Sequence, residues 1–176
     1  MIDWKSIPKY KIECQYLNTP FDIRDAFKNK GISKYVYRIN YKGVVLKYGM
    51  SCERFKSKDP GDRLYRQIGH SESWGPQRID GSSGSDWRII EEDYNKLYGT
   101  KIDRMSISIQ VYDFTHYDFV STDPRKEVYF AEQELIELYR DIVGEKPIGN
   151  INDDPNYRKK GYTPKKTFDA NFEFSI

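Results

Sequence analysis

Residues 105–111 alternate without a break. Met105, Ile107, Ile109 and Val111 are apolar, and Ser106, Ser108 and Gln110 between them are polar. A period of two marks a half-buried strand. Residues 34–40 and 44–49 are two further strand-like runs, dominated by Tyr, Val and Ile. Tyr41, Lys42 and Gly43 between them read as a three-residue hairpin loop with glycine at its end. A loop centred on Lys42 sets Tyr37 opposite Lys47 on one face of the hairpin and turns Tyr48 to the other. The period then changes. Val128, Ala131, Leu135, Leu138 and Ile142 recur at helical spacing. Asp123 is a good cap for that helix, Pro124 suits its first position, and Gly144 supplies its stop.

Elsewhere the pattern is weaker. Residues 1–32 read as an N-terminal extension, with a short helix opened by Thr19-Pro20 and ending near Gly31. A polar turn at 57–61 leads into a helix from about Asp62, whose apolar stripe includes Leu64 and Ile68. Residues 71–86 are rich in Ser and Gly and read as a long loop inserted into the core, carrying Trp74, Gln77 and Arg78. A helical or mixed segment follows, from Trp87 to Tyr98. After Asn150 periodicity is lost, and residues 151–176 form a basic, aromatic tail. The elements add up to an α+β fold: a small antiparallel sheet of about three strands flanked by helices, with its core over 33–150.

Two places hold chemistry. Glu132 lies within the apolar stripe, with Val128, Tyr129, Leu135 and Ile136 as its neighbours at three and four positions. A buried carboxylate without a partner is costly, so it binds a metal, pairs with a cation, titrates abnormally, or reaches water at the stripe's edge. Glu137, by contrast, has Gln133, Glu134, Arg140 and Asp141 around it and reads as solvated surface. Tyr37 beside Lys47 places an ammonium next to a phenol. The cation favours phenolate and makes the tyrosine a better proton acceptor. The alternative is an aromatic ring laid over an aliphatic stem.

The order Tyr35-Val36-Tyr37, Lys47-Tyr48-Gly49, Arg63-Leu64, Glu132 with Leu135-Ile136, and Gly149-Asn150 resembles the GIY-YIG nuclease family over about 33–150. The resemblance sets Tyr37 on the tyrosine of the first motif and Gly49 on the glycine of the second. It sets Arg63 on the helix arginine, Glu132 on the metal-binding glutamate, and Asn150 on the asparagine that closes the core. Lys47 stands where the second motif usually has tyrosine, as in a restriction-endonuclease branch of the family. The family's histidine four residues after the arginine is Gln67 here. An alternative register through Arg66 and His70 restores that spacing. What the resemblance implies is hydrolysis of a DNA phosphodiester that leaves a 5′-phosphate. Tyr37, helped by Lys47, would activate water, Arg63 would contact the phosphate, and Glu132 would hold a divalent ion. Tyr35, on the Tyr37 face, would help to position substrate. Asn150 and Gly49 would be structural.

Composition narrows the cofactor and the partners. Two histidines, His70 and His116, and two cysteines, Cys14 and Cys52, make no zinc motif. The cysteines read as reduced thiols of a cytoplasmic protein. Mg²⁺, or Mn²⁺ in its place, needs only one carboxylate together with water and phosphate oxygens. No apolar run is long enough to span a membrane. A net charge of +2 is too small to announce nucleic-acid binding, so basic surface has to be local. Gln77 and Arg78 suit base edges in the major groove. Lys159, Lys160, Lys165 and Lys166 suit phosphates of double-stranded DNA. The expected enzyme is a type II restriction endonuclease acting as a homodimer. The alternatives are a structure-specific phage or repair nuclease and a non-catalytic nucleic-acid-binding protein on a nuclease fold.

Overall fold

The computed structural model describes residues 2–17, 22–52, Leu64 and 83–151, with the backbone alone at 83–89 and 151. Its centre is an antiparallel sheet of four strands: β1 (Lys9–Glu13), β2 (Lys34–Tyr41), β3 (Val44–Cys52) and β4 (Ile107–Asp113). The spatial order is β1-β4-β2-β3. The architecture is the α+β class expected, with one more strand than the pattern showed. The extra strand is β1, from the segment read as an extension. It is short and its polar residues dominate, because as an edge strand it buries only Ile12 completely. Tyr10 and Ile12 alternate with Lys9, Lys11 and Glu13, which is the only trace of it in the sequence.

Numbered in chain order, the described α-helices of two or more residues are α1 (Asp22–Lys30), α2 (Ser83–Tyr98), α3 (Pro124–Val143) and α4 (Ile148–Ile151). Helix α2 starts at Ser83, so the last four residues of the expected inserted loop are helical; Ser and Asp suit a first helical turn. Met105 belongs to a short 3-10 turn at Arg104–Ser106, not to the strand, because the Asp103 side chain accepts from its backbone N–H.

Each face of the sheet has its own core. On one, Tyr35, Tyr37, Ile39, Ile109 and Val111 pack with Ile23 and Phe27 of α1, Leu64, Ile90 and Tyr94 of α2, and Ile148. On the other, Val36, Tyr48, Met50, Tyr112 and Phe114 pack with Trp4 and Ile7 and with α3. The period of two in the strands is what splits tyrosines 35 and 37 from Val36 and Tyr48.

Helix α3 has the caps expected. The Asp123 side chain accepts from Lys126 N–H, Pro124 opens the helix, and Gly144 closes it at φ 88°. Its buried stripe is Val128, Ala131, Leu135, Ile136 and Tyr139. Leu138 is half-buried and Ile142 is 64% exposed, contrary to the simple pattern. Successive steps of four residues turn the contact line by about 40° each. The line therefore drifts from Ala131 through Leu135 to Tyr139 and leaves Ile142 behind.

Candidate active site

The hairpin fixes the positions of Tyr37 and Lys47, and its turn is tighter than expected. Tyr41 pairs with Val44, so only Lys42 and Gly43 form the loop, at φ 45° and 78°. Both values are left-handed, the geometry whose twist matches two antiparallel strands. The ladder then shifts by one between Ile39 and Asn40. Leu46 is the additional residue of this bulge. In consequence Lys47 pairs with Ile39 and Tyr37 pairs with Gly49. The directly opposed Tyr37–Lys47 pair is therefore corrected to a diagonal one. The two residues remain on the same face, two positions apart, a separation of about 7–8 Å that long side chains span.

Gly49 is explained by the ring opposite it. A Cβ on Gly49 would fall 2.2 Å from both Cζ and Oη of Tyr37. Only a residue without a side chain lets the phenol lie flat across β3 at this point. The tyrosine of one strand and the glycine of the other thus form one packing unit. Tyr37 is fully enclosed, and Lys47 is 4% exposed. Tyr35 shares their face, but Phe27 closes over it at 4.5 Å between ring centroids. Like Tyr37, it is fully buried. The helix carrying Phe27 belongs to the segment that the pattern set apart as an extension.

Asn150 closes the outer edge of β3. The backbone N–H of Tyr48 donates to Asn150 Oδ1 at 2.8 Å, and Asn150 Nδ2 donates to Tyr48 O at 2.9 Å. One buried amide thus satisfies both polar groups of an edge residue, as a neighbouring strand would. Gly149 makes the approach close enough. A Cβ there would lie 2.7 Å from Leu46 O and 2.7 Å from Lys47 Cβ. The sequence analysis set Gly149 beside Asn150 in the motif order but gave it no role of its own. The short helix it belongs to thus rests on the bulge that sets Lys47.

Glu132 lies on α3 between Val128 and Ile136, one turn from each and inside the sheet-facing sector. It is half-buried. Val128, Leu135 and Ile136 are buried as expected, while Tyr129 is 48% exposed. Helix α3 covers the face opposite Tyr37 and Lys47. The two faces share a rim at the outer edge of β3, the strand that both α3 and α4 contact. Leu64 is buried on the Tyr37 face, so the helical residue next to Arg63 belongs to that side of the sheet. Arg63 itself, Arg66, His70, Gln77, Arg78, Lys159, Lys160, Lys165 and Lys166 lie outside the described residues.

A half-buried carboxylate such as Glu132 fits a hard cation that takes its other ligands from water and phosphate. It does not fit a zinc site, which needs several protein ligands. Among the described residues no group of three His, Cys, Asp or Glu gathers.

Glu134, two residues from Glu132, has a structural task. Its Oε1 accepts from Trp4 Nε1 at 2.9 Å and ties the N-terminal segment to α3. Both cysteines are free thiols, Cys14 buried and Cys52 half-buried. Burial pushes the Cys14 thiol up to about 12. Among the described residues no helix is long and apolar enough to cross a membrane.

Compared with protein-family models, with curated proteins and with solved structures, the chain finds no match.

Proposed function

We propose that this protein is a divalent-metal-dependent DNA endonuclease of the GIY-YIG type, acting as a type II restriction enzyme. The observation that carries the reading is the packing unit of Tyr37 on Gly49, with Lys47 diagonal to the phenol on the same face. It gives the tyrosine of one motif and the glycine of the other a shared physical reason. The Asn150 clamp and the half-buried Glu132 are the supporting features.

In this reading Tyr37 accepts a proton from the water that attacks phosphorus. The P–O3′ bond breaks, and the departing 3′-oxygen takes a proton from solvent water, which leaves a 5′-phosphate and a 3′-hydroxyl. Lys47 favours the phenolate form of Tyr37 and keeps it in place. Arg63 offers paired donors to the non-bridging oxygens. Glu132 holds Mg²⁺ or Mn²⁺, which when bound supplies charge stabilisation at the phosphate and the leaving oxygen. Tyr37 is closed off from water, so the face that carries it has to open when substrate binds. Gln77 and Arg78 would read base edges, and the lysines at 159, 160, 165 and 166 would hold phosphates.

The enclosure of Tyr37 and Lys47 also favours a second reading, a nucleic-acid-binding protein on a disabled nuclease fold. Plasmid incubated with protein and Mg²⁺, with and without EDTA, separates the two. Metal-dependent cutting that Tyr37→Phe removes supports the nuclease. Binding without cutting, at any metal concentration, supports the rival. Discrete fragments point to restriction, whereas cleavage confined to branched DNA points to a structure-specific repair or phage enzyme. Arg63→Ala should cost more rate than Arg66→Ala. The reverse order would assign the phosphate contact to Arg66, with His70 as its partner.

A further inference from the structure

The bulge at Leu46 decides which face of the sheet carries Lys47. The two-residue turn pairs Tyr41 with Val44 and Asn40 with Val45. Carried on without a bulge, that register would set Leu46 against Ile39, Lys47 against Arg38 and Tyr48 against Tyr37. Lys47 and Gly49 would then lie on the α3 face, with Val36 and Arg38. The observed ladder instead sets Lys47 against Ile39, Tyr48 against Arg38 and Gly49 against Tyr37. One additional residue thus brings the ammonium and the glycine to the face of Tyr37. It also sends Tyr48 to the other face, where it joins the core under α3.

Strand β3 is an edge strand, bonded to β2 on one side only, so its own ladder resists a slip poorly. Helix α4 supplies the other side. Asn150 bonds both backbone groups of Tyr48, the residue that follows the bulge, at 2.8 and 2.9 Å. The Asn150 N–H donates to Pro147 O at 2.8 Å, which fixes the turn that carries it. Gly149 lies against the bulge itself. A Cβ there would meet Leu46 O and Lys47 Cβ at 2.7 Å and Ile90 Cδ1 at 2.8 Å. Glycine is a poorer helix former than alanine, and position 149 does not have the positive φ that would call for it. What the position needs is the missing side chain.

We propose that Gly149 and Asn150 are positioning residues for the Tyr37–Lys47 pair: α4 locks β3 in the bulged register, and the ammonium shares the face of the phenol only while that lock is closed. Leu46 O and Lys47 Cβ belong to the bulge and cannot give way without moving it. Ile90 Cδ1 is the tip of a flexible side chain and can. An alanine at 149 must therefore lift α4 off Tyr48 or push the bulge aside, and either movement uncouples Lys47 from Tyr37. The catalytic purpose of the lock rests on the nuclease reading, and its existence does not.

NMR of the full chain without DNA tests the lock, and plasmid cleavage tests its purpose. In Gly149→Ala the Tyr48 N–H should exchange about tenfold faster or more, while the β1–β4 amides keep their protection. The NOE between the Tyr37 ring and the Gly49 Hα protons should weaken. Asn150→Ser, which withdraws the amide without adding bulk, should do the same. Ile90→Val removes Cδ1, and added to Gly149→Ala it should restore neither signal, because the other two obstacles remain. With Mg²⁺, Gly149→Ala should lower kcat by about tenfold or more at nearly constant KM, and should lower the rate of Lys47→Ala hardly further. Exchange that rises evenly over the whole sheet, an unchanged Tyr37–Gly49 contact, or rescue by Ile90→Val overturns the lock. Rate losses that multiply in the Lys47→Ala background overturn the positioning role. A wild type that cuts nothing counts against the nuclease reading, and the exchange and NOE signals then decide the lock by themselves.

Discussion

At position 49 a single added methyl group would lie 2.2 Å from the Tyr37 phenol. Gly49→Ala should therefore destabilise by overpacking, by ~1–3 kcal/mol in urea melts. The same substitution made in a Tyr37→Ala background should cost much less, because the space it needs is then open. Equal costs in both backgrounds would mean that the ring is not what the glycine accommodates. Cys14 offers a second test at this scale. Its folded thiol is held up to about 12 by burial, while an unfolded thiol ionises near 8.5. Between those values the unfolded state loses a proton that the folded state keeps. Stability from this group is thus complete below about pH 8.5 and falls as pH rises, by about 1.4 kcal/mol per unit. A thiol reagent at pH 8 should label Cys52 first and reach Cys14 only on unfolding; two fast equivalents would contradict the burial. The sequence allowed Tyr37 and Lys47 to be set on one face. It did not allow their spacing to be fixed, because a bulge at Leu46 moves the register by one and nothing in Val44-Val45-Leu46-Lys47 announces it. The cover over Tyr35 was not legible for a different reason: Phe27 comes from a helix whose docking on the sheet is invisible to local pattern.

At the scale of the element, α3 concentrates three tasks along one cylinder. Its sheet-facing stripe packs the core, Glu132 lies within that sector, and Glu134 holds Trp4. Glu132→Gln should abolish metal-dependent cleavage and leave DNA binding and melting temperature nearly unchanged. Glu134→Gln is not a neutral control, since it weakens the acceptor for the Trp4 indole; it should lower stability by ~1 kcal/mol with cleavage retained. Glu137 is the neutral control, because it is paired with Arg140 on the open side of the helix. Equal cleavage by the Gln variants at 132 and 137 would remove Glu132 from the site. Caps and stripe of this helix were legible from residue types alone: Asp123, Pro124 and Gly144 behave as their chemistry dictates. The drift of the stripe was not, since Leu138 and Ile142 are as apolar as the residues that bury. Only the line of contact with a twisted sheet decides between them.

At the scale of the molecule, the sheet order β1-β4-β2-β3 joins the start of the described chain to a strand near its middle, with Lys9 paired to Tyr112. Local pattern cannot show such a pairing, which explains why a fourth strand was read as an extension. The same pairing sets an order of events in time. Strands β2 and β3 adjoin in sequence and close through two residues, so the hairpin forms early and at small entropic cost. Strand β1 leaves the ribosome first, yet it has no partner until about a hundred residues later, and its edge must wait unpaired. Lys42→Asn should ease the left-handed turn at φ 45° and raise the folding rate while leaving unfolding nearly unchanged. Trp4→Phe removes the indole donor and should act on the other limb of the chevron, speeding unfolding and sparing folding. Were Trp4→Phe instead to slow folding, the N-terminal strand would already be docked at the barrier. On the expected outcome, its arrival is the latch that sets how long the native state lasts.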